Sequence, residues 1–190
     1  MKYLVTGGAG FVGSHIVDRL VMEGNEVVVY DNLSTGTLKF LGQSLDKIEF
    51  IEADLLDTKK IEKAMEGIDF VFHMAANADI RNNLKSPLKC LEQNTVATSN
   101  LLEAMRKSDV KQIAFPSTGS IYGEPEIHPT PEDAPFPIQT SMYGASKLAC
   151  EGLLQALIVF SSSSFLLWVI TTTLAFKKSP ELIDGKVQLL

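Results

Sequence analysis

The 190-residue sequence has few cysteines, few histidines and no excess of positive charge, and each scarcity excludes a class of protein. Its two cysteines, Cys90 and Cys150, lie far apart and form no CxxC pair. We therefore expect no disulfide framework and no zinc site, but free thiols in the reducing cytoplasm. The three histidines belong to no cluster with metal-ligand spacing, so we expect no metal. With 17 basic and 23 acidic residues, the net charge of −6 lacks the electrostatic footprint of a nucleic-acid-binding protein.

Charge is missing altogether from the stretch Gly152–Phe176, which is long enough to span a membrane. Hydroxyl residues interrupt it at Ser161–Ser164 and Thr171–Thr173. They favour the end of a helix, a serine turn and then a sixth strand within Phe165–Ala175. We therefore expect no membrane insertion. The N-terminus runs directly into a glycine motif and does not resemble a signal peptide.

Short apolar runs alternate with helical patterns through most of the remaining sequence. They predict strands at residues 2–6, 26–30, 48–51, 68–74 and 110–115, and helices at 11–23, 58–67, 86–107 and 141–157. Thr58, Ser86 and Ser141 are the expected N-caps of the last three helices. Because strands separated by helices form right-handed βαβ units, we expect an α/β fold with a doubly wound, Rossmann-like parallel sheet and helices on both faces.

Three glycines, Gly7, Gly10 and Gly13, lie between the first predicted strand and the first predicted helix. Gly7 permits a tight turn, Gly10 lets the backbone approach a pyrophosphate, and Gly13 lets the helix pack close to the sheet. The helix N-terminus then offers free N–H groups and a positive dipole end to phosphates. Since the motif stands between a strand and a helix, it favours dinucleotide binding over a glycine-rich connecting turn.

Two aspartates follow predicted strands. Asp31 ends the second strand, where a carboxylate accepts hydrogen bonds from the adenosine ribose hydroxyls and repels a 2′-phosphate. No arginine follows it, so the sequence favours NAD over NADP, although an ordinary turn aspartate is the alternative. Asp54 follows the third strand and either meets the adenine edge or serves as a turn or capping carboxylate.

Tyr143 and Lys147 are four residues apart on a predicted helix and therefore share one face. An ammonium near a phenol lowers the pKa of the tyrosine, so Tyr143 could take a proton from a substrate hydroxyl while hydride leaves the same carbon. Thr118, at the end of the fifth strand, could hydrogen-bond that hydroxyl. Such a pair alone is usually a solvated helix face, but here it follows a dinucleotide motif.

Several segments match a known family together. Residues 6–13 read Thr-Gly-Gly-Ala-Gly-Phe-Val-Gly and residues 143–147 read Tyr-Gly-Ala-Ser-Lys. With residues 31–36, 53–55 and 73–76, they resemble the extended short-chain dehydrogenase/reductases, and most of all nucleotide-sugar epimerases of the UDP-glucose (galactose) 4-epimerase type. The resemblance covers residues 1 to about 155.

The resemblance implies a role for each matching position. Thr118, Tyr143 and Lys147 would be catalytic, with Ser117, Tyr143 and Lys147 also contacting the cofactor. It places Gly7, Gly10, Phe11, Val12 and Gly13 at the pyrophosphate, Asp31, Asn32, Leu33, Ser34, Thr35 and Gly36 at the adenosine ribose, Asp54 and Leu55 at the adenine, and Ala75, Ala76 and Asn94 at the nicotinamide half.

The resemblance also implies an activity, a NAD-dependent 4-epimerase that acts on a UDP-sugar and dimerises through its two long helices. Thr118 is followed by Gly119 and Ser120, whereas related 4,6-dehydratases carry Thr-Asp-Glu, whose acids support elimination of water. The family's second, substrate-gripping domain is largely missing. We therefore divide the chain into an NAD-binding domain at 1–176 and a tail, or remnant of the substrate domain, at 177–190. A non-catalytic NAD-binding module and a related reductase or dehydratase are the alternatives.

Overall fold

A computed structural model describes residues 1–79, 85–131, 134, 138–160, 166–170 and 187–189. The predicted serine turn at 161–164 lies outside the described residues, as does the C-terminal segment except for 187–189. Among the described residues, no helix combines the length and the apolar character needed to cross a bilayer.

The described residues form one sheet of seven parallel strands, in the order β3-β2-β1-β4-β5-β6-β7. The strands are β1 Lys2–Thr6, β2 Glu26–Asp31, β3 Glu49–Glu52, β4 Phe70–His73, β5 Gln112–Pro116, β6 Leu166–Ile170 and β7 Val187–Leu189. The predicted doubly wound parallel sheet is confirmed, and β6 lies within the stretch expected to hold a sixth strand. Because β1 lies between β2 and β4, the strand order reverses there and opens a crevice at the carboxyl ends of these strands.

Helices cover both faces of the sheet. They are α1 Phe11–Met22, α2 Thr58–Ala64, α3 Pro87–Cys90, α4 Ala97–Lys107 and α5 Met142–Phe160, with a π-helical segment, Leu91–Val96, joining α3 to α4. One core packs α2, α4 and α5 against β1, β2, β4 and β5. The other packs α1 and the 3-10 turn Leu38–Leu41 against the opposite face of β1 and β2.

Helix starts agree with the predictions in two of three cases. Ser141 caps α5, since its hydroxyl accepts a hydrogen bond from Gly144 N at 2.9 Å. Ser86 occupies the N-cap position before Pro87, the first residue of α3, but its side chain makes no cap hydrogen bond. The prediction for α2 is wrong by one residue. Asp57 is the N-cap and its carboxylate accepts from Lys60 N at 3.2 Å, because Thr58 already has helical backbone and the residue before it therefore faces the free N–H groups.

Candidate functional site

The glycine turn between β1 and α1 leaves no room for a side chain at two of the three glycines of the motif. Gly7 has φ +67°, and a Cβ there would lie 2.6 Å from Ala75 N in the segment after β4. A Cβ on Gly13 would collide with the carbonyl of Gly7. Gly10, in contrast, would meet only the Gly7 carbonyl, at 3.2 Å. Gly7 and Gly13 are therefore required by packing within the protein, whereas Gly10 stands at the open side of the turn, at the N-terminus of α1.

Asp31 joins this turn to the end of β2. Its carboxylate is buried and accepts hydrogen bonds from Ala9 N at 3.0 Å and from Leu33 N at 2.8 Å. Leu33 has φ +54°, a conformation that the bond to Asp31 helps to hold. Each carboxylate oxygen keeps a second lone pair for a ligand. Asp31 is thus more than an ordinary turn aspartate, because it fixes the backbone of the glycine turn from the neighbouring strand.

Asp54 lies beside Asp31 at the end of β3 and is held by three donors. Asn32 Nδ2 donates to Oδ2 at 2.7 Å, Gln93 Nε2 to the same atom at 3.1 Å, and Leu56 N to Oδ1 at 2.9 Å. Burial raises the pKa of Asp54, but these hydrogen bonds outweigh it and leave the pKa below its ordinary value. An ionised, fully oriented carboxylate therefore stands at this end of the crevice.

A cleft of about 600 Å³ runs along the carboxyl ends of β1, β2 and β4. It brings together most of the residues predicted to bind a dinucleotide: Gly7, Gly10, Phe11, Val12, Gly13, Asp31, Asn32, Ser34, Thr35, Gly36, Asp54, Leu55, Ala75 and Ala76. Leu33, Asn94, Ser117, Thr118, Tyr143 and Lys147 do not line it. The cleft ends at Pro116, the last residue of β5, and beyond Pro116 lie the three predicted catalytic residues.

Lys147 is buried on α5 and points at β5. Its Nζ donates to the carbonyl oxygen of Pro116 at 2.9 Å and lies 4.3 Å from the centre of the Phe115 ring. Burial lowers the pKa of Lys147 to about 8, and its acidic neighbours Cys150 and Glu151 oppose this shift in part. Pro116, the last residue of β5, therefore supplies the carbonyl that receives the lysine ammonium.

Tyr143 and Thr118 face each other from α5 and the turn after β5. Burial raises the pKa of Tyr143, and a hydrogen bond with Thr118 lowers it only in part. The Thr118 hydroxyl also accepts from Ser120 N at 3.2 Å, which fixes its direction. The prediction that Lys147 lowers the pKa of Tyr143 below its ordinary value is wrong for this structure, because burial dominates and the ammonium is directed at Pro116.

A buried chain of hydrogen bonds lies beneath the site. His73, at the end of β4, contacts Thr6 Oγ1 through Nδ1 at 2.7 Å and Thr98 Oγ1 through Nε2 at 2.9 Å. The Cys150 thiol donates to Thr98 Oγ1 at 3.4 Å. Burial and then the Lys147 charge lower the pKa of His73 to about 3, so the imidazole stays neutral. This chain connects the residue before the glycine turn to α4 and α5.

Asn94 lies in the π-helical segment, and its side chain holds the loop after β4 by hydrogen bonds. Such irregular helical turns often mark a functional position. Its side chain accepts from Asn77 N at 2.7 Å and donates to Asn77 O at 3.2 Å and to Ser146 Oγ at 2.8 Å. Ser146 in turn donates to the carbonyl of Tyr143 at 2.8 Å. Asn94 therefore links the cleft wall at Asn77 to the turn of α5 that carries Tyr143.

Sequence reasoning missed several residues that the structure places in the site. Asn77 and Gln93 line the cleft, and Glu151 accepts a hydrogen bond from Ser117 Oγ. Asn77 could have been found as a polar residue just beyond the carboxyl end of a strand. Glu151 stands four residues after Lys147 on the same helix face, a spacing that the sequence displays. Among the described residues, no group of three His, Cys, Asp or Glu side chains could hold a metal ion.

Fold and site together define a class of protein, a dinucleotide-binding α/β fold with a Thr-Tyr-Lys constellation beside its cleft. The model of the NAD dependent epimerase/dehydratase family matches residues 3–174. The chain belongs to that family.

Individual relatives agree with this assignment. The UDP-glucose 4-epimerase of Streptomyces lividans is 43% identical over 156 residues, which are 80% of this chain and 46% of the relative. The NAD complex of the UDP-glucose 4-epimerase of Thermus thermophilus superposes with a TM-score of 0.81 at 38% identity, covering 90% of this chain and 54% of the other. The UDP-glucose complex of the Thermotoga maritima enzyme gives 0.83 at 34%, covering 90% and 55%. The chain thus spans about half the length of these relatives.

Proposed function

We propose that this chain binds NAD and carries the cofactor and catalytic half of a UDP-sugar 4-epimerase. The observation that carries the proposal is the position of Tyr143, Thr118 and Lys147 just beyond the end of a dinucleotide cleft. The cleft fits the cofactor. Gly10 leaves the turn open at a helix N-terminus, where a pyrophosphate would bind, and the Asp31 carboxylate keeps lone pairs for ribose hydroxyls.

The bound NAD would supply reversible hydride acceptance at C4 of the sugar. The chain's own residues handle the proton. Tyr143 would exchange a proton with the C4 hydroxyl, and Thr118, which contacts Tyr143, would orient that hydroxyl. With its pKa near 8, Lys147 is mostly protonated at neutral pH and places a positive charge on the Tyr143 face of α5. A 4-epimerase needs no acid after Thr118, which fits Gly119 and Ser120 at those positions.

The proposal is tested by incubating the protein with NAD and UDP-galactose and measuring UDP-glucose. The same assay is run on a chain extended to the length of its relatives, because this one spans about half of them. We expect Tyr143→Phe to abolish turnover and to keep NAD bound, since only the phenolic oxygen is lost. Tyr3→Phe, on β1 and away from the cleft, is the matched control. Normal turnover in Tyr143→Phe, or no product from either length, would contradict the proposal.

A second candidate is a module that binds NAD without turnover, because the lining of the cleft includes none of the three predicted catalytic residues. The two functions differ in one experiment. Calorimetric binding of NAD to this chain, with no product from UDP-galactose, would indicate the module. Binding together with turnover would indicate the epimerase, and water elimination or net reduction of a UDP-sugar would indicate a related dehydratase or reductase.

The proposed assembly is a homodimer through α3–α4 and α5. Large apolar side chains stand exposed on these helices: Leu88, Leu91, Val96, Met142 and Leu153. Sedimentation equilibrium of the wild type and of Leu91→Asp tests this surface, and we expect the variant to be monomeric. A dimer in both proteins would place the interface elsewhere. Cys90 and Cys150 are buried and share no disulfide bond, which supports the proposal of a reducing, cytoplasmic location.

A further inference from the structure

Three successive turns of α5 reach three consecutive residues at the end of β5. Tyr143 meets Thr118, Lys147 Nζ donates to Pro116 O at 2.9 Å, and the Glu151 carboxylate accepts from Ser117 Oγ. Positions 143, 147 and 151 are each one turn apart, so they lie on one face of the helix. The first two contacts belong to the proposed chemistry, and the third has no role in it.

We propose that Glu151 is a positioning residue of the site, whose carboxylate holds Ser117 and thereby sets the turn that presents Pro116 to Lys147 and Thr118 to Tyr143. Ser117 stands between the two residues that meet the catalytic side chains. A bond at Ser117 therefore restrains both of its neighbours through the backbone. The catalytic roles of Tyr143, Thr118 and Lys147 rest on the proposed function. The contact between Glu151 and Ser117 does not depend on that function.

The charge of Glu151 matters as well as its hydrogen bond. Lys147 is buried, and its titratable neighbours are Tyr143, Cys150 and Glu151 on α5 and His73 on β4. Burial raises the pKa of both the Tyr143 phenol and the Cys150 thiol, and His73 stays neutral, so these three are uncharged at neutral pH. Among these neighbours, Glu151 is thus the one that carries a negative charge at neutral pH and opposes the effect of burial on Lys147, whereas Cys150 opposes it only where its thiol is ionised.

Two variants separate the hydrogen bond from the charge. Glu151→Gln keeps an oxygen that can accept from Ser117 and removes the charge, whereas Ser117→Ala removes the bond and keeps the charge. Glu92→Gln, the same substitution at an exposed position of the π-helical segment, is the matched control. The Lys147 titration is followed by NMR of lysine labelled with carbon-13 at Cε, with the signal assigned by its loss in Lys147→Met. Hydrogen exchange of Ser120 N, which bonds Thr118 Oγ1, reports the turn.

We expect Glu151→Gln to move the Lys147 titration to lower pH while Ser120 N stays protected. Ser117→Ala is expected to speed exchange at Ser120 N and to leave β2 amides such as Val28 N unchanged, which separates a local effect from loss of the fold. Glu92→Gln should change neither readout. An unshifted Lys147 titration in Glu151→Gln, or an unchanged Ser120 exchange rate in Ser117→Ala, overturns the proposal. Both readouts are taken without NAD or sugar, so they hold their meaning even if the chain has no epimerase activity.

Discussion

Replacing Asp31 with asparagine tests whether the carboxylate fixes the glycine turn from β2. The carboxylate accepts from Ala9 N and Leu33 N, one bond on each oxygen. An asparagine can accept only one of them, and its NH₂ then faces the other N–H. A hydrogen bond to a charged group contributes about 1.5–3 kcal/mol, and the bond that remains becomes a weaker neutral one. Because Asp31 is buried, solvent weakens these two hydrogen bonds only slightly. We therefore expect the free energy of unfolding to fall by about 2–4 kcal/mol.

Urea unfolding followed by circular dichroism measures this loss. With a slope of about 2 kcal/mol per molar urea, the midpoint should fall by about 1–2 M. Asp46→Asn is the control. Asp46 is exposed on a second 3-10 turn, Leu45–Lys47, and its substitution should leave the urea midpoint unchanged. NAD affinity should fall in Asp31→Asn as well, by about tenfold for each 1.4 kcal/mol of binding energy that is lost. An Asp31→Asn midpoint equal to that of Asp46→Asn would refute the reasoning.

Two further predictions concern the buried parts of the site. His73 has a pKa of about 3 in the folded protein against about 6.5 unfolded, so the stability it contributes is complete above pH 6.5 and declines as the pH falls from 6.5 towards 3. The urea midpoint of the wild type should therefore drop more between pH 7 and pH 5 than that of His73→Gln, and equal drops would count against this. Gly13→Ala places a Cβ against the Gly7 carbonyl and should lower the free energy of unfolding by about 1–3 kcal/mol, which thermal unfolding measures. The same variant should not bind NAD, which calorimetry checks.

The order of strands and helices was predictable because buried apolar residues recur in the sequence with the period of a strand or a helix. The apolar runs of β1 and β2 are buried in the sheet, and the stripe on α1 packs against them. Boundaries were less accurate. Thr58 and Asp57 are both good caps, and only the backbone path decides which side chain meets a free N–H.

The cleft was predictable from motifs, but the electrostatics of the catalytic residues were not. The i, i+4 spacing places Tyr143 and Lys147 on one face of α5, yet it does not reveal how deeply each is buried or that Pro116 O accepts the ammonium. Those are long-range contacts between α5 and β5. Glu151 was missed for the same reason, because its partner Ser117 lies far back in the sequence.

The contact between Gly7 and Ala75 has a consequence for the order in which the protein acquires its structure. The turn after β1 is local in sequence, but its shape is completed by backbone that follows β4. A chain of which only β1, α1 and β2 have been synthesised lacks the backbone after β4 that completes the turn. The chain between β1 and β4 must fold back and bring the two strands together before that contact can form. The nucleotide site therefore matures late, once β4 has paired with β1, and a fragment ending before β4 should fail to bind NAD although it holds every glycine of the motif.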